Sequence, residues 1–196
     1  MAAARAVWAT GAATGVGGVA PDRLVFLDEC GVLTDMARLH GRGPRGERAC
    51  GTVPCGRWAR LSVLGALGRE GILAAMSVEA ATDGAVLHAH LGRVLLPELR
   101  RAKPDAVPVV DNLGTHETPK LREPLDGSGF SYRYLPSYSP DLSPTEPAWA
   151  QVKAELRRVA ARDEGTLHHA LGPALDRVSA ENARAYFRHC GYDRPD

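Results

Sequence analysis

One helical stretch set among strand-like runs constrains this chain more than any other feature. Val86, Leu87, His90, Leu91, Val94, Leu95 and Leu99 recur at the spacing of a single helix face, and Asp83 stands where such a helix would start. Before it come three short apolar runs, at 23–28, 57–67 and 72–78, with the glycine-flanked turn Gly68-Arg69-Glu70-Gly71 between the last two. Three strands joined this closely make an antiparallel meander. After the helix, Val107, Pro108, Val109, Val110 and Asp111 form a fourth run, with Pro104 ending the basic tail Arg100-Arg101-Ala102-Lys103. A strand, a helix of a dozen or more residues and another strand is a crossover, the connection that parallel pairing requires. The fourth strand is therefore expected to lie parallel to a strand of the meander. Pro97 is expected to kink or end the helix.

The remaining pattern adds a short helix at 116–125, a fifth strand at 130–135, a helix at 144–161 and a last helix at 166–187 carrying Leu167, Leu171, Leu175, Val178 and Tyr186. The order β-β-β-α-β-α-β-α-α describes an α/β fold, a five-stranded mixed sheet flanked by helices. With 196 residues, 44% of them hydrophobic and 24% charged, the chain has material for one sizeable core. Residues 1–22 are rich in Ala and Gly and read as a loose tail, 23–190 as the domain and 191–196 as a second tail. No run approaches the roughly 20 apolar residues of a membrane span, so no membrane partner is expected. Cys30, Cys50, Cys55 and Cys190 have no disulfide-framework or zinc spacing and read as reduced thiols of a cytoplasmic protein.

Net charge is +1, so the global balance points to no partner, but its distribution is uneven. Arg38, Arg42, Arg45, Arg48, Arg57 and Arg60 crowd one glycine-broken region whose only acid is Glu47. Such a strip can neutralise phosphates, and it can equally be a solvated basic loop.

Three acids draw attention by position. Asp28 and Asp111 each end an apolar strand, where an open α/β sheet places its functional crevice. Either alone is also what a strand ending at a solvated aspartate looks like. Glu146 fits a capping box, with Ser143 as N-cap, Pro144 at the first helical position and Glu146 at the third. Trp149, Val152, Leu156 and Val159 form the buried stripe of the same helix, with Trp149 as core. Together the three carboxylates suit hard divalent cations. Two such ions about 3.5–4 Å apart clamp both oxygens of an in-line phosphoryl displacement.

These residues carry a resemblance. Phe26-Leu27-Asp28-Glu29, then Asp111-Asn112-Leu113-Gly114-Thr115-His116, then Leu135-Pro136-Ser137-Tyr138-Ser139-Pro140-Asp141-Leu142-Ser143-Pro144-Thr145-Glu146 with Trp149 and Lys153 beyond, resemble the catalytic domain of DDE-type transposases of the mariner-like bacterial insertion-sequence group. Thirty-four residues separate Asp111 from Glu146, the spacing of that group. The resemblance implies a ribonuclease-H-like fold. It implies two Mg²⁺ or Mn²⁺ ions on Asp28, Asp111 and Glu146, with Asn112 and His116 in support and Glu29 and Asp141 in loop-forming or secondary roles. It implies hydrolysis of a phosphodiester at an element's end and attack of the freed 3′-hydroxyl on target DNA, by a dimer on double-stranded DNA in a bacterial nucleoid. Ser137 stands where the group has a second proline and Ser143 where it has asparagine, and serine caps a helix as well as asparagine. The group also carries a helix-turn-helix region ahead of this domain, whereas about 22 residues precede the first strand here. The expectation is either a separate reading frame that works with a helix-turn-helix partner, or an inactive truncated remnant that binds DNA weakly.

Overall fold

The structure is a computed structural model, and it describes residues 2–10, 15–56, 58–111 and 119–192. Five strands form one sheet: β1 (Leu24–Leu33), β2 (Arg60–Gly68), β3 (Gly71–Val78), β4 (Val107–Val110) and β5 (Arg133–Tyr134), in the order β3-β2-β1-β4-β5. β1, β2 and β3 are the antiparallel meander, and β4 joins β1 in parallel, as the crossover requires. β5 adds in parallel to β4 over two residues, shorter than the apolar run at 130–135 suggested. β1 runs on past Gly31 to Leu33, because β2 pairs with it that far, Leu33 opposite Arg60.

Helices cover both faces. Alternation along β1 sends Leu24, Phe26, Cys30 and Val32 to one face and Val25 and Leu27 to the other. The first face packs on α5 (Thr145–Val159), α6 (Glu164–Asp176) and α7 (Ala180–His189) through Trp149, Val152, Leu156, Leu167 and Phe187. The second packs on the crossover through Leu87, Leu91, Leu95 and Leu99, and on Leu125 of α4 (Pro119–Asp126).

The crossover runs as α2 (Gly84–His90), a π turn (Leu91–Leu95) and α3 (Leu96–Ala102). Asp83 caps it by accepting from the N–H groups of Ala85 and Val86, both at 2.9 Å. Pro97 neither ends nor breaks it: the π turn shifts the ladder so that Leu96 N–H bonds to Leu91 O just before the proline.

Two expectations are corrected. The last helix is two helices, because Ser179 opens α7 with a capping box closed by Asn182. The break puts Val178 O where a Cβ on Gly71 would lie 2.7 Å away, and Gly71 itself has φ +125°, so the β2–β3 turn takes only glycine there. The start of the chain is also not a loose tail. Residues 2–10 form helix α1 (Ala2–Thr10), in which Trp8 is 3% exposed and packs in the α5–α7 core. Its indole N–H donates to Tyr192 Oη at 3.1 Å, so one aromatic anchors both ends of the domain. The four cysteines are free thiols, Cys30 and Cys190 buried, Cys50 and Cys55 exposed. Among the described residues no helix is long and apolar enough to cross a membrane.

Candidate active site

The three acids are brought to one end of the sheet by register and period. Leu24, Val25, Phe26 and Leu27 pair in sequence with Val107, Pro108, Val109 and Val110, so the next position on each strand places Asp28 beside Asp111. Adjacent strands lie about 4.8 Å apart. Alternation turns both toward α5: Asp28 follows Leu24 and Phe26, and Asp111 follows Val107 and Val109, which all face that layer. α5 begins over them, and its second residue is Glu146, exposed at the rim.

Asp28 is tied to α5 directly. Its Oδ2 accepts from Thr145 Oγ1 at 2.7 Å and from Trp149 Nε1 at 3.2 Å, while Oδ1 accepts from Glu29 N–H at 2.7 Å. Thr145 and Trp149 are four apart and share one face of the helix. Burial pushes the Asp28 carboxyl up to about 6; the bonds from Thr145 and from Glu29 N–H oppose that, and the charges of Glu146 and Asp111 add to it. Those two charges also show that the three acids share one field. The Cys30 thiol, one strand period from Asp28, is pushed up to about 11 by burial, against the pull of the neighbouring Lys153.

Gly65 completes the arrangement from the other side. It is paired with Asp28 across β1 and β2, and a Cβ on it would sit 3.0 Å from Trp149 Cη2. The indole therefore packs close against the strand at Gly65 with its N–H at the carboxylate. Sequence reasoning assigned Trp149 to the core, where it is, at 5% exposed, but missed its second use. It also missed Thr145 and Gly65. The legible signal was the four-residue spacing of Thr145 and Trp149 just past the third acid.

The capping box expected at Ser143 is not formed. Pro144 occupies the N-cap position with no side-chain bond, and Ser143 Oγ instead lies 2.6 Å from Thr145 Oγ1. Ser143 and Thr145 form a buried hydroxyl relay onto Asp28, which removes the serine from capping. The loop before Glu146 is held from two sides: Arg5 of α1 makes a bidentate ion pair with Asp141 that keeps this carboxyl below the usual range, and Tyr192, past the end of α7, donates its Oη–H to Leu142 O. Tyr138 in the same loop is 90% exposed with φ +53°.

Asn112, His116 and Arg57 lie outside the described residues. Of the other arginines of the strip, only Arg60 is placed away from the loop. Arg38 and Arg42 line a cleft against the end of α5, and Arg45 and Arg48 are exposed further along the loop. Arg60 lays its guanidinium over Gly31, on the face opposite to Cys30. Among the described residues no three His, Cys, Asp or Glu side chains close into a metal cage. The donor set nonetheless fits a hard divalent cation. It is all carboxylate oxygen, and burial together with mutual repulsion already raises the proton affinity of Asp28, a penalty that a cation relieves. Mg²⁺ in particular binds through one or two carboxylates, water and substrate phosphate more than through all-protein cages.

A mixed sheet with carboxylates at the adjoining ends of its two central parallel strands, and a third acid on the helix laid across them, defines a ribonuclease-H-like catalytic domain. The family model for DDE superfamily endonucleases matches residues 23–168, and the chain belongs to that family. The fold is that of the Mos1 mariner transposase catalytic domain, whose solved structure superposes with a TM-score of 0.63 at 16% identity over 88% of this chain and 79% of that one. A pre-cleavage Mos1 transpososome gives a TM-score of 0.69 at 16% identity, and a Mos1 paired-end complex with Mn gives 0.66 at 18%. They cover 88% and 87% of this chain, which spans about half of the matched Mos1 chains, 54% and 52%. No curated protein matches the sequence.

Proposed function

We propose that the chain is the catalytic domain of a transposase, cutting a phosphodiester at the end of a DNA element and joining the freed 3′-hydroxyl to target DNA. The observation that carries this is the convergence of Asp28, Asp111 and Glu146 at one end of the sheet in a DDE superfamily endonuclease. Those three residues would hold two divalent cations, Mg²⁺ or Mn²⁺. When bound, such a pair supplies Lewis-acid stabilisation of the attacking and leaving oxygens. The chain's own part is to orient the acids. Thr145 and Trp149 keep the Asp28 carboxylate aimed and partly dry, and their donated bonds favour its ionised form. Arg5 and Tyr192 brace the loop that delivers Glu146. Asn112 and His116 are proposed to position Asp111 or the DNA. The partners are double-stranded DNA, a second copy of the chain on paired ends, and a helix-turn-helix region supplied ahead of this domain or by a separate protein. The Mos1 paired-end complexes support the DNA part of this proposal.

The test is a nicking assay on supercoiled and element-end DNA with Mg²⁺ or Mn²⁺. Wild type should cleave and Asp111→Asn should lose nearly all of the rate. Equal inertness of both proteins would refute an active enzyme.

A further inference from the structure

Helix α5 carries more than the third acid. Glu146, Lys153 and Arg157 are spaced seven and four residues apart, close to two turns and one turn of helix, so they fall on one stripe along the border of its buried face. At the near end of the stripe, Thr145 and Trp149 bind Asp28. In its middle, Lys153 lies beside Cys30 of β1. Just past the end of α5, Arg162 donates to the carbonyls of Thr34 and Met36 at 3.1 and 3.0 Å, pinning the start of the basic loop where β1 ends. α5 and β1 therefore run side by side in the same direction, from the acids to the loop.

Between the loop and the end of α5 lies a cleft of about 640 Å³. Arg38, His40, Arg42, Arg157, Arg158 and Arg162 line it, and no acidic side chain does. Arg158 is occupied by Glu155 and Arg162 by the loop carbonyls. Arg38, Arg42 and Arg157 make no hydrogen bond or ion pair to the described residues, so among these their charges are not spent. Cations gathered without counter-charge in a concave site are what a polyanion's phosphates neutralise.

From these placements we infer that the cleft is a seat for the backbone of the DNA strand, reached by a track that starts at Glu146 and runs past Lys153. This rests on the DNA-cleaving function proposed above and extends it to a register. Eleven residues of helix rise about 16 Å, which at about 3.4 Å per nucleotide sets the seated phosphates about five nucleotides from the phosphodiester at the acids. The seat is made by Arg38 and Arg42 from the loop and Arg157 from α5. Arg60, on the opposite face, is outside it.

The experiment is duplex-DNA binding by fluorescence anisotropy from 50 to 200 mM salt with wild type, Arg157→Ala, Arg38→Ala/Arg42→Ala, Arg157→Lys and, as a control on α3, Arg100→Ala. Methylphosphonate substitutions are then walked along one strand of a nicked substrate. Each phosphate contact removed should flatten the salt dependence, so that binding falls about threefold less across that range, while Arg157→Lys and Arg100→Ala keep the wild-type slope. Neutral phosphates should weaken wild-type binding four to six nucleotides from the nick, and weaken Arg157→Ala less there. Wild-type slopes in both alanine variants, or no such position dependence, overturn the seat while the DNA-cleaving function stands. Absence of any wild-type binding at 50 mM salt overturns both.

Discussion

Replacing Asp28 by asparagine should stabilise the metal-free protein at neutral pH, although it removes a residue of the proposed catalytic set. The carboxyl is buried against α5, beside two other carboxylates, and its affinity for a proton is raised from 3.8 to about 6. At about 1.4 kcal/mol per pH unit, keeping it ionised at pH 7.5 costs the folded state about 3 kcal/mol. Because the folded value is the higher one, the contribution to stability is fully present below 3.8 and is lost as pH rises through about 6. An asparagine has no such loss. It also cannot accept all three bonds that Asp28 accepts from Glu29 N–H, Thr145 and Trp149, since its amide turns a donor on one of them, which returns about 1–2 kcal/mol. The net gain at pH 7.5 is then about 1–2 kcal/mol, or about 2–8 °C in Tm for a domain of this size. The assay is thermal unfolding of both proteins in chelator from pH 4 to 7.5. The difference between them should grow in favour of the Asp28→Asn variant across pH 4–6 and level off above. Adding Mg²⁺ or Mn²⁺ at pH 7.5 should raise the wild-type Tm and not that of Asp28→Asn. A difference that stays flat with pH, or a variant less stable than wild type at pH 7.5, would refute the burial argument.

Gly65→Ala should destabilise the protein by about 1–3 kcal/mol, since its methyl meets Trp149 Cη2 at 3.0 Å and the indole can leave only by giving up Asp28; denaturant unfolding followed by tryptophan fluorescence reads both effects. Tyr192→Phe should leave Trp8 Nε1 and Leu142 O without their shared partner at a cost of about 1–3 kcal/mol, with a parallel loss of nicking because the loop before Glu146 slackens; unchanged unfolding and unchanged nicking would show that α1 does not brace the site.

Much of the fold was legible because hydrophobic period reports local geometry. The stripe from Val86 to Leu99 between strand-like runs predicted a crossover, and the parallel β1–β4 pair is its consequence. Where local signals compete, period was less informative. Pro97 looked like an end, yet a π turn absorbs it, and Val178 continued an apolar stripe through a helix break made by Ser179. The Ala/Gly-rich start offered composition and little periodicity, and a single tryptophan, Trp8, decides its docking. At the site, the types and order of Asp28, Asp111 and Glu146 are properties of the chain, as is the spacing that identifies their family. Which groups touch them is not, because hydrogen bonds across 117 and 121 residues depend on the register of two strands and the azimuth of one helix. That register turned Thr145 and Trp149 into donors for Asp28, made Gly65 the space for an indole, took Ser143 away from its cap and separated Arg60 from Arg38 and Arg42. Periodicity along a chain is local and additive, whereas side-chain contact at a site is the product of several packed elements, and only packing sets their relative positions.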